Sequence, residues 1–116
     1  MPPESLAEFE LLVMLAALRL GSEGAYTVSI TNDIARRTGR SVRRANVYTT
    51  LQRLEAKGLV STRLGDPRPE RGGRARRLVT VTPTGMAAAR ATTATIDAMV
   101  GELADTVLGG KVRTAP

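Results

Sequence analysis

At 116 residues the chain has room for one domain with a core of ordinary size, and 42% apolar against 24% charged residues reads as globular rather than disordered. No apolar run approaches the roughly 18 residues of a membrane-spanning helix, the opening Met1-Pro-Pro-Glu-Ser is not expected to be a secretory signal, and a chain without Cys has no disulfide or thiolate metal site, which suits a cytoplasmic setting. With no His either, the commonest metal ligand and the usual general base near neutral pH are missing, so no metal, cofactor or catalytic residue is expected.

Ser5 to Leu20 predicts a first helix. Glu4, Glu8 and Glu10 crowd its start, where they complement the positive end of the dipole. Phe9, Leu12, Val13, Ala16 and Leu20 form one apolar stripe, and Leu11, Leu15 and Leu18 form a second that calls for a further packing partner. Tyr26 to Thr38 predicts a second helix, with Gly39 as its left-handed cap. Ser41 to Lys57 predicts a third, with Ser41 as N-cap, a core stripe of Val47, Leu51 and Leu54, and Gly58 as the stop.

Leu59 to Leu64 and Arg76 to Thr82 have strand character. Between them, Gly65 to Gly73 is turn chemistry, so the pair reads as a hairpin with a long basic tip. Thr82 suits an N-cap and Pro83 the first helical position of a last helix, expected to run to about Leu108. Ala89, Ile96, Met99 or Val100, Leu103 and Val107 follow the 3-4 spacing of a packing seam. Residues 111–116 are expected to fray. Helix, helix, helix, strand, basic turn, strand, helix is the plan of a winged helix-turn-helix: a mainly α (α+β) fold with a small β-hairpin. The expected division is a winged helix-turn-helix domain at 1–82, a C-terminal dimerisation helix at 83–110, and the tail.

The net charge of +6 conceals a block. From Arg36 to Arg77 there are 13 basic and 3 acidic residues, and 15 of the 17 cations in the chain are Arg. Arg forks onto phosphates and guanine edges better than Lys does. A solvated basic face is the alternative reading of such a run. The second helix of a helix-turn-helix lies in the major groove with its N-terminal residues on base edges. Arg43, Arg44, Asn46, Tyr48, Thr49, Thr50 and Arg53 supply the chemistry: Arg for guanine, Asn for adenine, hydroxyls for phosphates. With Val47, Leu51 and Leu54 in the core, Asn46, Thr49, Thr50 and Arg53 are expected to face outward. Arg71, Gly72, Gly73, Arg74 and Arg76 of the tip combine cations with glycines that allow close backbone approach to a phosphate or minor groove. A basic loop touching nothing is the alternative there.

Phe9-Glu-Leu-Leu-Val13, Ala45-Asn-Val-Tyr48, Leu51-Gln-Arg-Leu-Glu-Ala-Lys-Gly-Leu-Val60, Glu70-Arg-Gly-Gly-Arg-Ala-Arg-Arg77 and Leu78-Val-Thr-Val-Thr-Pro-Thr-Gly85 together resemble the PadR family of bacterial winged-helix transcriptional regulators. The resemblance implies a DNA-binding repressor that acts as a homodimer, its first and last helices building the interface. Leu11, Leu15, Leu18, Ile96, Met99, Val100, Leu103 and Val107 are the candidates for that interface. Tyr48 matches the family's recognition-helix tyrosine, which implies a backbone or groove contact. The sequence departs from the family where Leu78 and Val79 replace two aromatics, where Arg43-Arg44 opens the recognition helix, and in having no Trp, so capture of planar aromatics between Trp residues is not implied. Double-stranded DNA is the expected partner, and no small-molecule effector is identified. The alternative class is a winged-helix protein-interaction module without operator binding.

Overall fold

In a computed structural model that describes residues 4–65, 75–107 and 109, three helices precede the hairpin and one long helix follows it. They are α1 (Glu8–Leu20), α2 (Thr27–Thr38) and α3 (Arg44–Ala56), then β1 (Val60–Leu64) and β2 (Arg77–Val81), then α4 (Pro83–Val100). A 3-10 turn (Gly101–Leu103) and a short α5 (Ala104–Val107) complete the order. The two strands pair antiparallel, from Val60 opposite Val81 to Leu64 opposite Arg77. This is the winged helix-turn-helix architecture expected.

The core lies where the predicted stripes converge. Val13 and Met14 of α1, Ile30 of α2, Val47 and Leu54 of α3, Leu59, and Val79 of β2 are its largest fully buried side chains. Each such side chain contributes about 1.5–3 kcal/mol relative to exposure. The hairpin is joined to this core through backbone as well as side chains. The Val79 N–H donates to the Ala25 carbonyl at 2.8 Å, so the segment before α2 extends the pairing of β2.

Helix ends follow local chemistry, with three departures from expectation. Helix α1 starts at Glu8 rather than Ser5, because Leu6 is buried in the core and its N–H donates to Thr92 Oγ1 of α4 at 3.0 Å. The Glu10 carboxylate then accepts the Ala7 N–H at 2.9 Å, one half of a capping box. Helix α3 starts at Arg44, not Ser41, and its N-cap, Arg43, makes no side-chain capping bond. Val42 packs half-buried on the core, which keeps the chain extended through Arg43. Helix α4 stops at Val100 rather than about Leu108, where Gly101 takes φ +38° and breaks the expected continuous seam. The tail at 111–116 lies outside the described residues.

Two expectations hold in detail. Gly39 is left-handed at φ +72°, and its N–H bonds the Ala35 carbonyl. Thr82 Oγ1 accepts the Gly85 N–H at 3.0 Å and donates to the Gly58 carbonyl at 2.7 Å, pinning the start of α4 to the end of α3. Gly85 sits so close to the chain that a Cβ there would lie 1.9 Å from the Leu59 carbonyl oxygen.

Candidate nucleic-acid interface

Helix α3 is amphipathic at the 3-4 spacing. Val47, Thr50, Leu51 and Leu54 face the core; Arg44, Asn46, Tyr48, Thr49, Gln52 and Arg53 are exposed, as is Arg43 before them. Thr50 corrects an expectation. It is 5% exposed, because three residues from Val47 and four from Leu54 it falls within the apolar stripe, and helix geometry overrides its polarity. From Arg43 to Arg53 the helix contains no acid.

Two grooves flank this face. One, of about 410 Å³, is lined by Phe9, Arg40, Ser41, Asn46, Thr49 and Arg53 among others, and runs between α3 and the start of α1. The other, of about 270 Å³, is lined by Thr27, Tyr48, Gln52, Thr62 and Arg77 among others, and separates α3 from the hairpin. Gln52 Nε2 donates to Tyr48 Oη at 3.3 Å. Thr62 Oγ1 donates to Glu55 Oε2 at 2.7 Å and accepts from Arg77 Nη1 at 2.8 Å, bracing the end of α3 against the strands.

The cations divide into paired and free. Asp33, 2% exposed, accepts from Arg19 Nη1 at 2.6 Å, Arg36 Nη2 at 3.1 Å and Arg37 Nε at 3.1 Å. Burial alone would raise the Asp33 pKa, but the hydrogen bonds and charges of Arg37 and Arg19 outweigh it and hold the carboxyl below its usual value. Arg40 is paired with Glu8 at 2.9 Å and lies 6.0 Å from the Phe9 ring centroid. Lys57 bridges Glu4 at 3.0 Å and Glu10 at 3.2 Å, which raises its own pKa. Glu10 is lowered: burial opposes its ionisation, and the Ala7 N–H and Lys57 overcome that. Among the described residues, Arg43, Arg44 and Arg53 have no carboxylate partner.

Of the expected hairpin residues, Arg71, Gly72, Gly73 and Arg74 lie outside the described residues. Arg76 does not project from the hairpin: its guanidinium stacks over the Tyr26 ring, 4.5 Å from the centroid, at the root of the strands. The Asp33 hub was not anticipated. Its signal in the sequence is Asp33 three and four residues ahead of Arg36 and Arg37, the spacing that brings side chains together on a helix.

The second apolar surface divides similarly. Leu11 is buried within its own protomer, so it is not available to a partner, whereas Leu15 and Leu18 line an open groove of about 300 Å³ with Met86, Ala89 and Ala94 of α4. Beyond it Ile96, Met99, Leu103 and Val107 are 46%, 77%, 57% and 59% exposed, and Val100 is half-buried. Ile96 and Met99 stand on α4, and Leu103 and Val107 follow the break at Gly101, so four large apolar side chains are left in water. Among the described residues, no helix is long and apolar enough to cross a membrane, and no group of three or more acidic side chains is placed to hold a metal ion.

Comparison with known proteins agrees with this architecture. The family described as "Transcriptional regulator PadR-like family" matches residues 14–91. No curated protein matches the chain. Among solved structures, a PadR family transcriptional regulator from Eggerthella lenta superposes with a TM-score of 0.65 at 22% identity, over 86% of each chain. A PadR-like transcriptional regulator from Bacillus cereus gives 0.64 at 17% identity, over 87% of this chain and 94% of that one. BpsR of Bordetella bronchiseptica, whose DNA binding is regulated by 6-hydroxynicotinic acid, gives 0.61 at 22% identity, over 97% of this chain and 73% of its own.

Proposed function

The chain belongs to the PadR-like family of transcriptional regulators, and from that premise we propose that it is a homodimeric, sequence-specific DNA-binding repressor. Helix α3 enters the major groove, and the hairpin lies along the backbone or minor groove. The observation that carries this reading is the stretch from Arg43 to Arg53, which contains no acid: Arg43, Arg44 and Arg53 have no carboxylate partner among the described residues, and Asn46, Tyr48 and Thr49 are exposed beside them, with Glu55 a turn further on toward the hairpin. Arg44 and Asn46 are placed early in the helix, where base edges are read; Tyr48 and Thr49 carry hydroxyls suited to phosphates. The helix start has no side-chain cap, so its first N–H groups remain available to a phosphate. Thr50 is left out of this set by its burial.

Dimerisation supplies the second half-site. Met99, Ile96, Leu103 and Val107, with the Leu15 and Leu18 groove, form the surface that a second copy covers. The two α3 helices then sit about 34–36 Å apart on one face of the duplex. Selection of bound sites from random duplexes with the purified protein tests this directly. A two-fold symmetric consensus with half-sites one helical turn apart is expected. A protein that elutes as a dimer yet binds no duplex at low salt is instead an interaction module.

A further inference from the structure

The guanidinium of Arg76 is in an unusual place for a cation of a DNA-binding hairpin. Among the described residues its buried Nε has no hydrogen-bond partner, and the group stacks on Tyr26. A buried donor without a partner is unfavourable, so this placement is maintained by its surroundings. The Arg76 carbonyl accepts the Gly65 N–H at 2.7 Å, which extends the hairpin one step past the Leu64–Arg77 pair. Three residues on, the Val79 N–H bonds the Ala25 carbonyl, and Ala25 precedes Tyr26, the N-cap of α2.

The hairpin is therefore fastened to the start of α2 at two points about 10 Å apart along β2, one through backbone and one through the stacked pair. On β1 the hairpin is held as well by the Arg63–Glu23 pair at 2.6 Å and by the Glu55–Thr62–Arg77 hydrogen bonds; along β2 one point of attachment permits a pivot, and two set an angle. That angle determines the width of the groove between α3 and the hairpin, whose walls include Tyr48 and Gln52 on one side and Thr62 and Arg77 on the other. We propose that Arg76 is a positioning residue, stacked on Tyr26 to set the hairpin against α3, and that it does not itself contact DNA. This inference rests on the DNA-binding reading above.

The test is the salt dependence of binding to a random-sequence duplex of 30 base pairs, measured with the full chain. Each phosphate contact contributes about 0.9 to the slope of log K against log salt. Tyr26→Leu removes no charge, yet it is expected to lower the slope by ~0.9 or more by letting the hairpin swing away. Tyr26→Phe keeps the ring and is expected to match the wild type. Arg76→Gln is expected to match Tyr26→Leu, with the double substitution no worse than either. A wild-type slope for Tyr26→Leu alongside a loss of ~0.9 for Arg76→Gln overturns the proposal and makes Arg76 a direct phosphate contact. Wild-type slopes for both overturn it as well. If Tyr26→Leu does not fold, Arg76→Gln is compared with Arg77→Gln: equal losses refute positioning, and a larger loss from Arg76→Gln supports it. Failure of the wild type to bind duplex at low salt removes the DNA-binding reading itself, and this inference with it.

Discussion

Replacing Asp33 by Asn keeps the shape of the side chain and removes its charge from a site where three guanidinium groups converge. Breaking a fully buried pair costs about 3–5 kcal/mol because it leaves a charge without compensation. Here Asp33 is 2% exposed, but Arg19, Arg36 and Arg37 are 41%, 72% and 50% exposed and regain water when the carboxylate is lost. Pairs exposed on both sides contribute about 0–1 kcal/mol each, and this hub, buried on one side and exposed on the other, lies between that case and a fully buried pair. Asp33→Asn is therefore expected to cost about 2 kcal/mol at neutral pH, rather than the full buried-pair value. The folded pKa of Asp33 is depressed, so its contribution is complete above the unfolded value of about 3.9 and is lost as pH falls through the folded value. Urea unfolding at fixed protein concentration, run at pH 7 and at steps below pH ~4, checks both statements. The gap between wild type and variant is expected to narrow toward low pH. A gap under about 0.5 kcal/mol at pH 7, the range of an inconsequential surface change, or one that does not narrow with acid, refutes the account.

Gly85→Ala places a methyl 1.9 Å from the Leu59 carbonyl oxygen, a backbone atom that cannot swing aside. A loss of about 3 kcal/mol or more in thermal or urea unfolding is expected, at the upper end of overpacking penalties. Met99→Asp puts a charge on the exposed apolar face of α4, and sedimentation analysis is expected to show monomers where the proposed wild-type dimer is lost, with the melting of the monomer fold little changed. Asn46→Ala is expected to weaken binding to the selected site by roughly 1–3 kcal/mol per half-site and to relax base preference there. An equal loss on specific and random duplexes identifies Asn46 as a phosphate contact.

Which side of α3 faces the core was legible because amphipathic helices announce themselves by spacing. Val47, Leu51 and Leu54 fixed the inner side of α3, and the arginine-rich outer side followed. The same spacing contained the answer for Thr50, which polarity alone assigned to the wrong face. Leu11 shows the reverse case: a second apolar stripe signals that some of its members are covered, without distinguishing the protomer's own core from a partner. Arg76 was placed by its neighbours in sequence, which are cations, and the fold instead gives it an aromatic neighbour fifty residues earlier in the chain.

The order of elements, the left-handed Gly39, the Thr82–Pro83 start of α4 and the one-sided charge of α3 are properties of short stretches, governed by backbone sterics, capping and a 3.6-residue period. They could be read from the chain alone. The late start of α1, the three arginines gathered on Asp33, the glycine required at 85 and the stacked root of the hairpin depend on segments distant in sequence meeting in space. Burial and close approach are set by the packed whole, and no local pattern carries that information.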